Sequence, residues 1–184
     1  MGNPLRDRRP LAELAGLGQV IEITEKVGDF ERLAGIVEAD LAALDPDKLP
    51  QGWRDSAVTG RLAFGFVDAQ QQVAVLEGEV AATVAAVCQR CLEPFQLALR
   101  SELRLVPIVA GDSVLADDAL DVWELDDDTV CVADIVEESL IMAMPLSARH
   151  DSAEACREFE TAASDASQTT RPFAALKAQL DEDG

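Results

Sequence analysis

The middle of the chain alternates between apolar and polar positions, the pattern of β-strands with one buried face. After Pro94 the large apolar side chains share one face of a predicted strand: Phe95, Leu97, Leu99, Leu103 and Leu105. Two earlier segments alternate in the same way, and their apolar members are Val58, Leu62, Phe64 and Phe66 in the first and Leu76, Val80, Ala82 and Val84 in the second. Residues 68–72 between these two segments are polar and predict a turn. The three segments therefore predict a three-stranded antiparallel meander.

A helical periodicity appears on both sides of this meander. From Asp29, a predicted N-cap, apolar residues recur at helical spacing as far as Asp45-Pro46, namely Phe30, Leu33, Ala34, Val37, Leu41 and Leu44. A second helix is predicted from Asp134 as N-cap to a stop at Pro145, with Glu137 at the third position completing a capping box. Residues 19–25 alternate and predict a further short strand.

These elements predict an α+β fold, in which an antiparallel β-meander is packed with two to three helices and carries a flexible acidic loop and a C-terminal tail. We divide the chain into an N-terminal tail (1–17), an α+β domain (18–146) and a polar tail (147–184) that ends in a short helix. In that last helix Phe173, Leu176 and Leu180 share one face. Such a segment either docks on its own domain or presents itself to a partner.

Four residues with metal-binding chemistry stand out against this background. Cys88 and Cys91 form a C-x-x-C in the predicted turn between two strands, where both thiols point to one side at a spacing that suits Zn²⁺. His150, the one histidine of the chain, and Cys156 follow Pro145 in a polar stretch that can fold back onto the turn. Together the four residues would complete a Cys₃His zinc site.

Two other interpretations of the C-x-x-C stay open. A thioredoxin-like redox pair needs its first cysteine at a helix N-terminus, and the alternation after Pro94 argues against a helix there. Alternatively, both thiols are small buried hydrophobes without chemistry. Cys131 lies between Val130 and Val132 and is predicted to be a core residue on a short strand.

Composition limits the classes of protein that fit. A chain of 184 residues with 48% hydrophobic residues suits one globular domain with tails. No apolar run approaches the roughly 20 residues of a membrane span, and four cysteines without a secretory signal suggest a reducing compartment, so we expect a cytoplasmic protein. The sequence motifs of a P-loop, a dinucleotide site, a serine hydrolase and a zinc protease are all absent, which makes an enzyme the weaker class.

The charge of the chain indicates the kind of partner. The chain contains 35 acidic residues and 15 Lys and Arg, which gives a net charge of −20. No basic residue occurs between Arg104 and Arg149. We interpret the acidic run in this interval as a flexible loop. A surface of this charge repels phosphates and attracts basic proteins, so a basic protein partner fits better than direct RNA binding.

Several motifs together resemble the bacterial YceD family, whose members are called large ribosomal RNA subunit accumulation proteins. They are Cys88-Gln-Arg-Cys91-Leu92 after a Val-rich strand, the run from Asp134 to Pro145, Arg149-His150 with a cysteine shortly after, and Pro172-Phe173-x-x-Leu176 near the end. The family's cysteines and histidine fall on Cys88, Cys91, His150 and Cys156, whereas Cys131 has no counterpart. The zinc hypothesis itself rests on the chemistry of these residues and not on the resemblance.

The resemblance implies a non-enzymatic cytoplasmic factor for accumulation of large-subunit ribosomal RNA, whose gene often neighbours that of a small basic large-subunit ribosomal protein. Here the C-terminal end is acidic at Asp181, Glu182 and Asp183, where the family pattern is more basic, which disfavours an RNA-binding role for that end. A basic large-subunit ribosomal protein or a pre-ribosomal particle is therefore the expected partner. The alternatives are a thiol oxidoreductase with Cys88 attacking and Cys91 resolving, and a general binding module with a zinc staple.

Overall fold

The computed structural model describes residues 3–67, 73–109, 121–152 and 155–156. Within these ranges the chain forms seven strands and three α-helices. The strands are β1 (Arg9–Pro10), β2 (Val20–Lys26), β3 (Ala57–Phe66), β4 (Ala74–Val87), β5 (Pro94–Val109), β6 (Asp121–Leu125) and β7 (Thr129–Val130). The helices are α1 (Leu11–Gly16), α2 (Glu31–Leu41) and α3 (Val132–Met142).

A five-stranded sheet of order β2-β3-β4-β5-β6 forms the centre of the fold. The first four strands are antiparallel neighbours, and β6 pairs with β5 in parallel. The predicted α+β class, the three-stranded meander of β3, β4 and β5 and the extra strand at residues 19–25 are thereby confirmed.

One face of the sheet and the two longer helices enclose the hydrophobic core. The strand alternation places Leu62, Leu76 and Val84 on the inner face without solvent exposure. The helices cover this face with fully or almost fully buried residues, which are Leu33, Val37 and Leu41 from α2 and Ile135, Val136 and Leu140 from α3. Buried residues thus recur about every 2 positions in the strands and about every 3.6 positions in the helices, as the apolar pattern of the sequence predicts.

Ion pairs between neighbouring strands cover the outer face of the same sheet. Their members are Glu22 with Arg61, Glu79 with Arg100 and Glu77 with Arg104. All six side chains are more than half exposed, so each pair contributes little to stability, but the arginines have carboxylate partners.

Both predicted helix N-caps are wrong. Asp29 ends a 3₁₀ turn (Val27–Asp29), and its carboxylate accepts the N–H of Lys26 at 2.9 Å, whereas α2 is capped by Phe30 without a side-chain hydrogen bond. Helix α3 begins at Val132 after Cys131, so Asp134 lies inside the helix and forms no capping box with Glu137. Both helices also end about three residues before the predicted stops.

Glu137 instead caps the neighbouring helix. Its Oε1 accepts the backbone N–H groups of Arg32 (2.7 Å) and Leu33 (3.1 Å), two donors in the first turn of α2 that have no partner within their own helix. Its Oε2 pairs with the Arg32 guanidinium at 3.2 Å. Glu137 is only 9% exposed, and its carboxylate lies at the positive end of the α2 dipole, so it fixes α2 against α3.

The interpretation of the acidic run as a flexible loop is wrong for residues 121–125, which pair with β5. Residues 121–125 form β6, in which Trp123 and Leu125 pack against the core while Asp121 and Glu124 are exposed. Cys131 is half-buried and caps α3 directly after β7, where its Sγ lies near the carbonyl oxygens of Leu5 and Arg6. The predicted turn at 68–72, residues 110–120 of the acidic run and the terminal amphipathic segment lie outside the described residues.

The segment before residue 18 packs on the domain. Leu5 and Leu14 are buried in the main core, and the carbonyl oxygen of Leu5 accepts the N–H of Ala133 at 2.8 Å. Strand β1 pairs with β7. The predicted domain boundaries stay a prediction, although the described residues of the N-terminal segment contribute directly to the core. None of the described helices combines the length and the apolar character of a membrane span.

The cap formed by Glu137 leads to a stability prediction. Glu137→Ala should lower the free energy of unfolding by about 2–3 kcal/mol, because it leaves two N–H groups near the core without an acceptor. Glu138→Ala is the matched control, since Glu138 binds the same Arg32 at 2.6 Å from a more exposed position, and it should cost less than about 1 kcal/mol. Urea denaturation of both variants measures the difference. Equal losses in the two variants would contradict the capping role.

Candidate metal centre

The connection between β4 and β5 forms a tight turn that carries both cysteines of the C-x-x-C. Val87 pairs with Pro94 at the end of the two strands, and residues 88–93 join them. The N–H of Cys88 bonds to the carbonyl oxygen of Glu93 at 3.0 Å, and the N–H of Leu92 bonds to that of Cys88 at 2.8 Å. Leu92 has a φ of 56°, in the left-handed region. The turn therefore curls round so that both thiols can lie on the same side.

The segment after α3 folds back onto this turn. The N–H of Gln89 donates to the carbonyl oxygen of Ala148 at 2.8 Å, which anchors the residues just before His150. The imidazole of His150 packs on the ring of Phe95, with the ring centroids 4.7 Å apart. The chain thus returns to the β4–β5 turn after it has formed β5, β6 and α3.

The structure brings Cys88, Cys91, His150 and Cys156, the four residues singled out from the sequence, into one group, here called the Cys₃His cluster. Their candidate ligand atoms all lie within 4.8 Å of one another. The distances are 3.7 Å from the Sγ of Cys88 to that of Cys156, and 3.6 and 3.4 Å from the His150 Nδ1 to the Sγ atoms of Cys91 and Cys156. Cys131 is not part of the cluster.

The three distances of 3.4–3.7 Å match edges of a metal-centred tetrahedron, and all other separations in the cluster are within 4.8 Å. With Zn–S of about 2.3 Å and Zn–N of about 2.0 Å, tetrahedral angles give about 3.8 Å between two sulfurs and about 3.5 Å between sulfur and nitrogen. The sulfurs are also too far apart for a disulfide, whose S–S distance is about 2.05 Å, and all four cysteines are free. The cluster can therefore hold a metal ion through four protein ligands.

The cluster is a small core of its own. Cys88 has no solvent exposure, and Cys156 and Cys91 are 5% and 8% exposed, with Phe95 packed against them. A closed site with four protein ligands is typical of structural zinc, because a catalytic zinc keeps one position open for water or substrate. The geometry thus favours a structural metal over a reacting one.

Backbone donors favour the thiolate form of Cys88. Burial raises the pKa of its thiol, but the N–H groups of Cys91, His150 and Arg90 outweigh burial and bring the pKa down to about 5. Burial raises the pKa of Cys91, and the neighbouring Cys88 sulfur raises it further. Since metals bind the thiolate form of cysteine, this low pKa makes Cys88 a suitable metal ligand.

The low pKa of Cys88 alone would also suit a redox nucleophile, but its position does not. Cys88 follows the last residue of β4 and does not lie at a helix N-terminus. Its side chain is fully buried, so an incoming disulfide has no access to the sulfur in this conformation.

Contacts from α2 and from the segment after it fix the base of the turn. The Asp40 carboxylate accepts the N–H of Val87 at 2.7 Å, and the Lys48 ammonium pairs with Glu93 at 2.6 Å. Arg90 projects from the middle of the C-x-x-C, with one guanidinium nitrogen 3.9 Å from the Cys156 Sγ. The sequence pattern gave no signal for these supporting residues, because each depends on contacts between segments far apart in the chain.

Comparisons with known proteins find relatives for the part of the chain that contains the Cys₃His cluster. Residues 76–180 match the family described as "Large ribosomal RNA subunit accumulation protein YceD", and the matched segment includes the whole Cys₃His cluster. A curated protein of that name from Haemophilus influenzae is 35% identical over 102 residues, which cover 53% of this chain and 55% of the relative. The alignment thus spans little more than half the length of that relative. No solved structure matches the chain.

Proposed function

The chain belongs to the YceD family of large ribosomal RNA subunit accumulation proteins, and we propose that it is a non-enzymatic, cytoplasmic factor of ribosome biogenesis. In this proposal it supports accumulation of large-subunit (23S) ribosomal RNA by binding a basic large-subunit ribosomal protein, alone or in a pre-ribosomal particle. The distribution of charge over the described residues is the observation that carries the proposal.

Most basic side chains of the described residues already have acidic partners. Nine of the twelve Lys and Arg residues in these ranges form ion pairs with carboxylates, namely Arg8, Arg9, Lys26, Arg32, Lys48, Arg54, Arg61, Arg100 and Arg104. The acidic residues exceed the basic ones by 20 over the whole chain. Few cations are therefore left to bind phosphates, whereas many carboxylates are left to bind a basic protein.

Strand β6 and the residues directly after it form the best candidate for the protein-binding surface. Asp121, Glu124, Asp126 and Asp128 are exposed there, and no ion pair involving them occurs among the described residues. Arg8 is the nearby cation, and it pairs with Asp127. Such a surface attracts a basic protein over long range, which speeds association and makes it sensitive to salt.

We assign zinc to the Cys₃His cluster. The Sγ atoms of Cys88, Cys91 and Cys156 and the Nδ1 of His150 would hold the ion, which would join the segment after α3 to the β4–β5 turn. In this role the ion holds the fold together and acts on no substrate. A general binding module with the same zinc staple, but without a ribosomal partner, is the competing interpretation of the geometry.

The zinc assignment predicts one zinc per chain in freshly purified protein, measured by native mass spectrometry. Cys156→Ser should lower the zinc affinity by more than about 100-fold, because even changes around the ligands of metal sites cost 10–100-fold. Cys131→Ser is the matched control and should keep the metal, since Cys131 lies outside the cluster. Metal-free protein with a reversible Cys88–Cys91 disulfide would support the thiol oxidoreductase instead.

The partner assignment predicts that the chain, used as bait, captures a basic protein from total protein extracted from large ribosomal subunits. Affinity for the captured protein should fall at least tenfold between about 50 and about 200 mM salt, because exposed charges are screened over this range. Glu124→Gln with Asp126→Asn should lower the affinity about 3- to 10-fold, mainly through slower association.

Glu77→Gln with Glu79→Gln is the matched control for the partner assignment. It removes the same number of charges, but these two carboxylates already pair with Arg104 and Arg100. A pull-down from ribosomal subunits at low salt that recovers ribosomal RNA without any ribosomal protein would overturn the assignment.

A further inference from the structure

Two arginines beside the Cys₃His cluster differ from most basic residues of the chain. Among the described residues, Arg6, Arg90 and Arg149 have no carboxylate partner. Arg6 is engaged elsewhere, since it donates to the carbonyl oxygen of Asp29 and lies over the Phe30 ring. Arg90 and Arg149 are both exposed and both adjoin the cluster. The cluster is therefore flanked by cations in a chain whose net charge is strongly negative.

The backbone around both arginines is held in place. Arg90 lies between the two cysteines of the turn, and its guanidinium reaches to 3.9 Å from the Cys156 Sγ. Arg149 lies between Ala148, which accepts the N–H of Gln89, and His150, whose Nδ1 is 3.6 Å from the Cys91 Sγ. Arg90 therefore donates to a cluster sulfur through one guanidinium nitrogen, and both arginines are exposed on one ordered part of the surface.

Leu92 adds an apolar group to the same rim. Its φ of 56° is a conformation that glycine adopts easily and that costs another residue roughly 1–2 kcal/mol. Its side chain is 58% exposed, so burial does not repay this cost. Neither packing nor backbone geometry explains a leucine here, whereas contact with a ligand would.

From this arrangement we propose that the rim formed by Arg90, Leu92 and Arg149 binds single-stranded RNA directly. Guanidinium groups bind phosphate oxygens bidentately and stack on unpaired bases, and an exposed apolar side chain on the same turn can contact a base face. The acidic surface elsewhere repels the rest of an RNA, which limits contact to a few nucleotides and excludes a long duplex. The identity of the RNA as ribosomal rests on the proposed function, but the protein partner plays no part in this inference.

The test is fluorescence anisotropy of a labelled, mixed-sequence single-stranded RNA of about 12 nucleotides, which is titrated with the purified full chain. The buffer contains zinc and no ribosomal protein. Arg90→Gln with Arg149→Gln should weaken binding at least tenfold. The slope of log K against log salt should become shallower by about 1.4, because each lost phosphate contact removes about 0.7 on single strands. Leu92→Gly should weaken binding about threefold while leaving the fold at least as stable.

Arg61→Gln with Arg104→Gln is the matched control, because it removes two arginines that are paired with carboxylates on the outer face of the sheet. It should change the affinity less than twofold, and circular dichroism and urea denaturation should show that every variant is folded.

Three results would overturn the proposal: no RNA binding by the unaltered chain, equal binding by both double variants, or equally tight binding of a glutamate-rich peptide. Capture of a basic ribosomal protein without RNA binding would reject only this inference. RNA binding without such capture would reject only the protein partner.

Discussion

The pairing of β4 with β5 is the constraint on which the rest of the molecule depends. Its antiparallel register runs from Leu76 opposite Leu105 to Val87 opposite Pro94, so the turn that follows is limited to residues 88–93. The same register puts the apolar side chains of both strands under α2 and α3 and the charged ones outside. The sheet faces and the placement of Cys88 and Cys91 are therefore consequences of one strand pairing, because a slip by one residue would turn over the faces of the shifted strand and displace the cysteines.

Local patterns in the sequence predicted the parts of the structure that local geometry determines. The strands of the meander, the two long helices and the position of the C-x-x-C all follow from spacings within a few residues. Glu137 shows the limit of such patterns: three residues after Asp134 it has the spacing of a capping box, yet its carboxylate caps α2, which lies about a hundred residues earlier in the chain. No local pattern contains that contact.

Leu5 and strand β6 were missed for the same reason. Leu5 lies in a polar N-terminal segment, and only its burial in the main core reveals its role. Strand β6 is short, rich in acidic residues and parallel to β5, so that its pairing depends on a crossover and not on a hairpin. The grouping of His150 and Cys156 with the turn could be proposed from chemistry alone, whereas the contacts of Asp40 and Lys48 that support the turn could not.

A metal ion in the Cys₃His cluster would also constrain the unfolded chain. Its ligands lie 59 residues apart between Cys91 and His150, so an ion bound to both closes a loop that contains β5, β6, β7 and α3. By the arithmetic used for disulfides, a crosslink over such a loop removes about 4 kcal/mol of chain entropy from the denatured state. An ion at the rim of the sheet would thus restrict the freedom of a third of the unfolded chain, and its removal would favour the unfolding of strands that it does not touch.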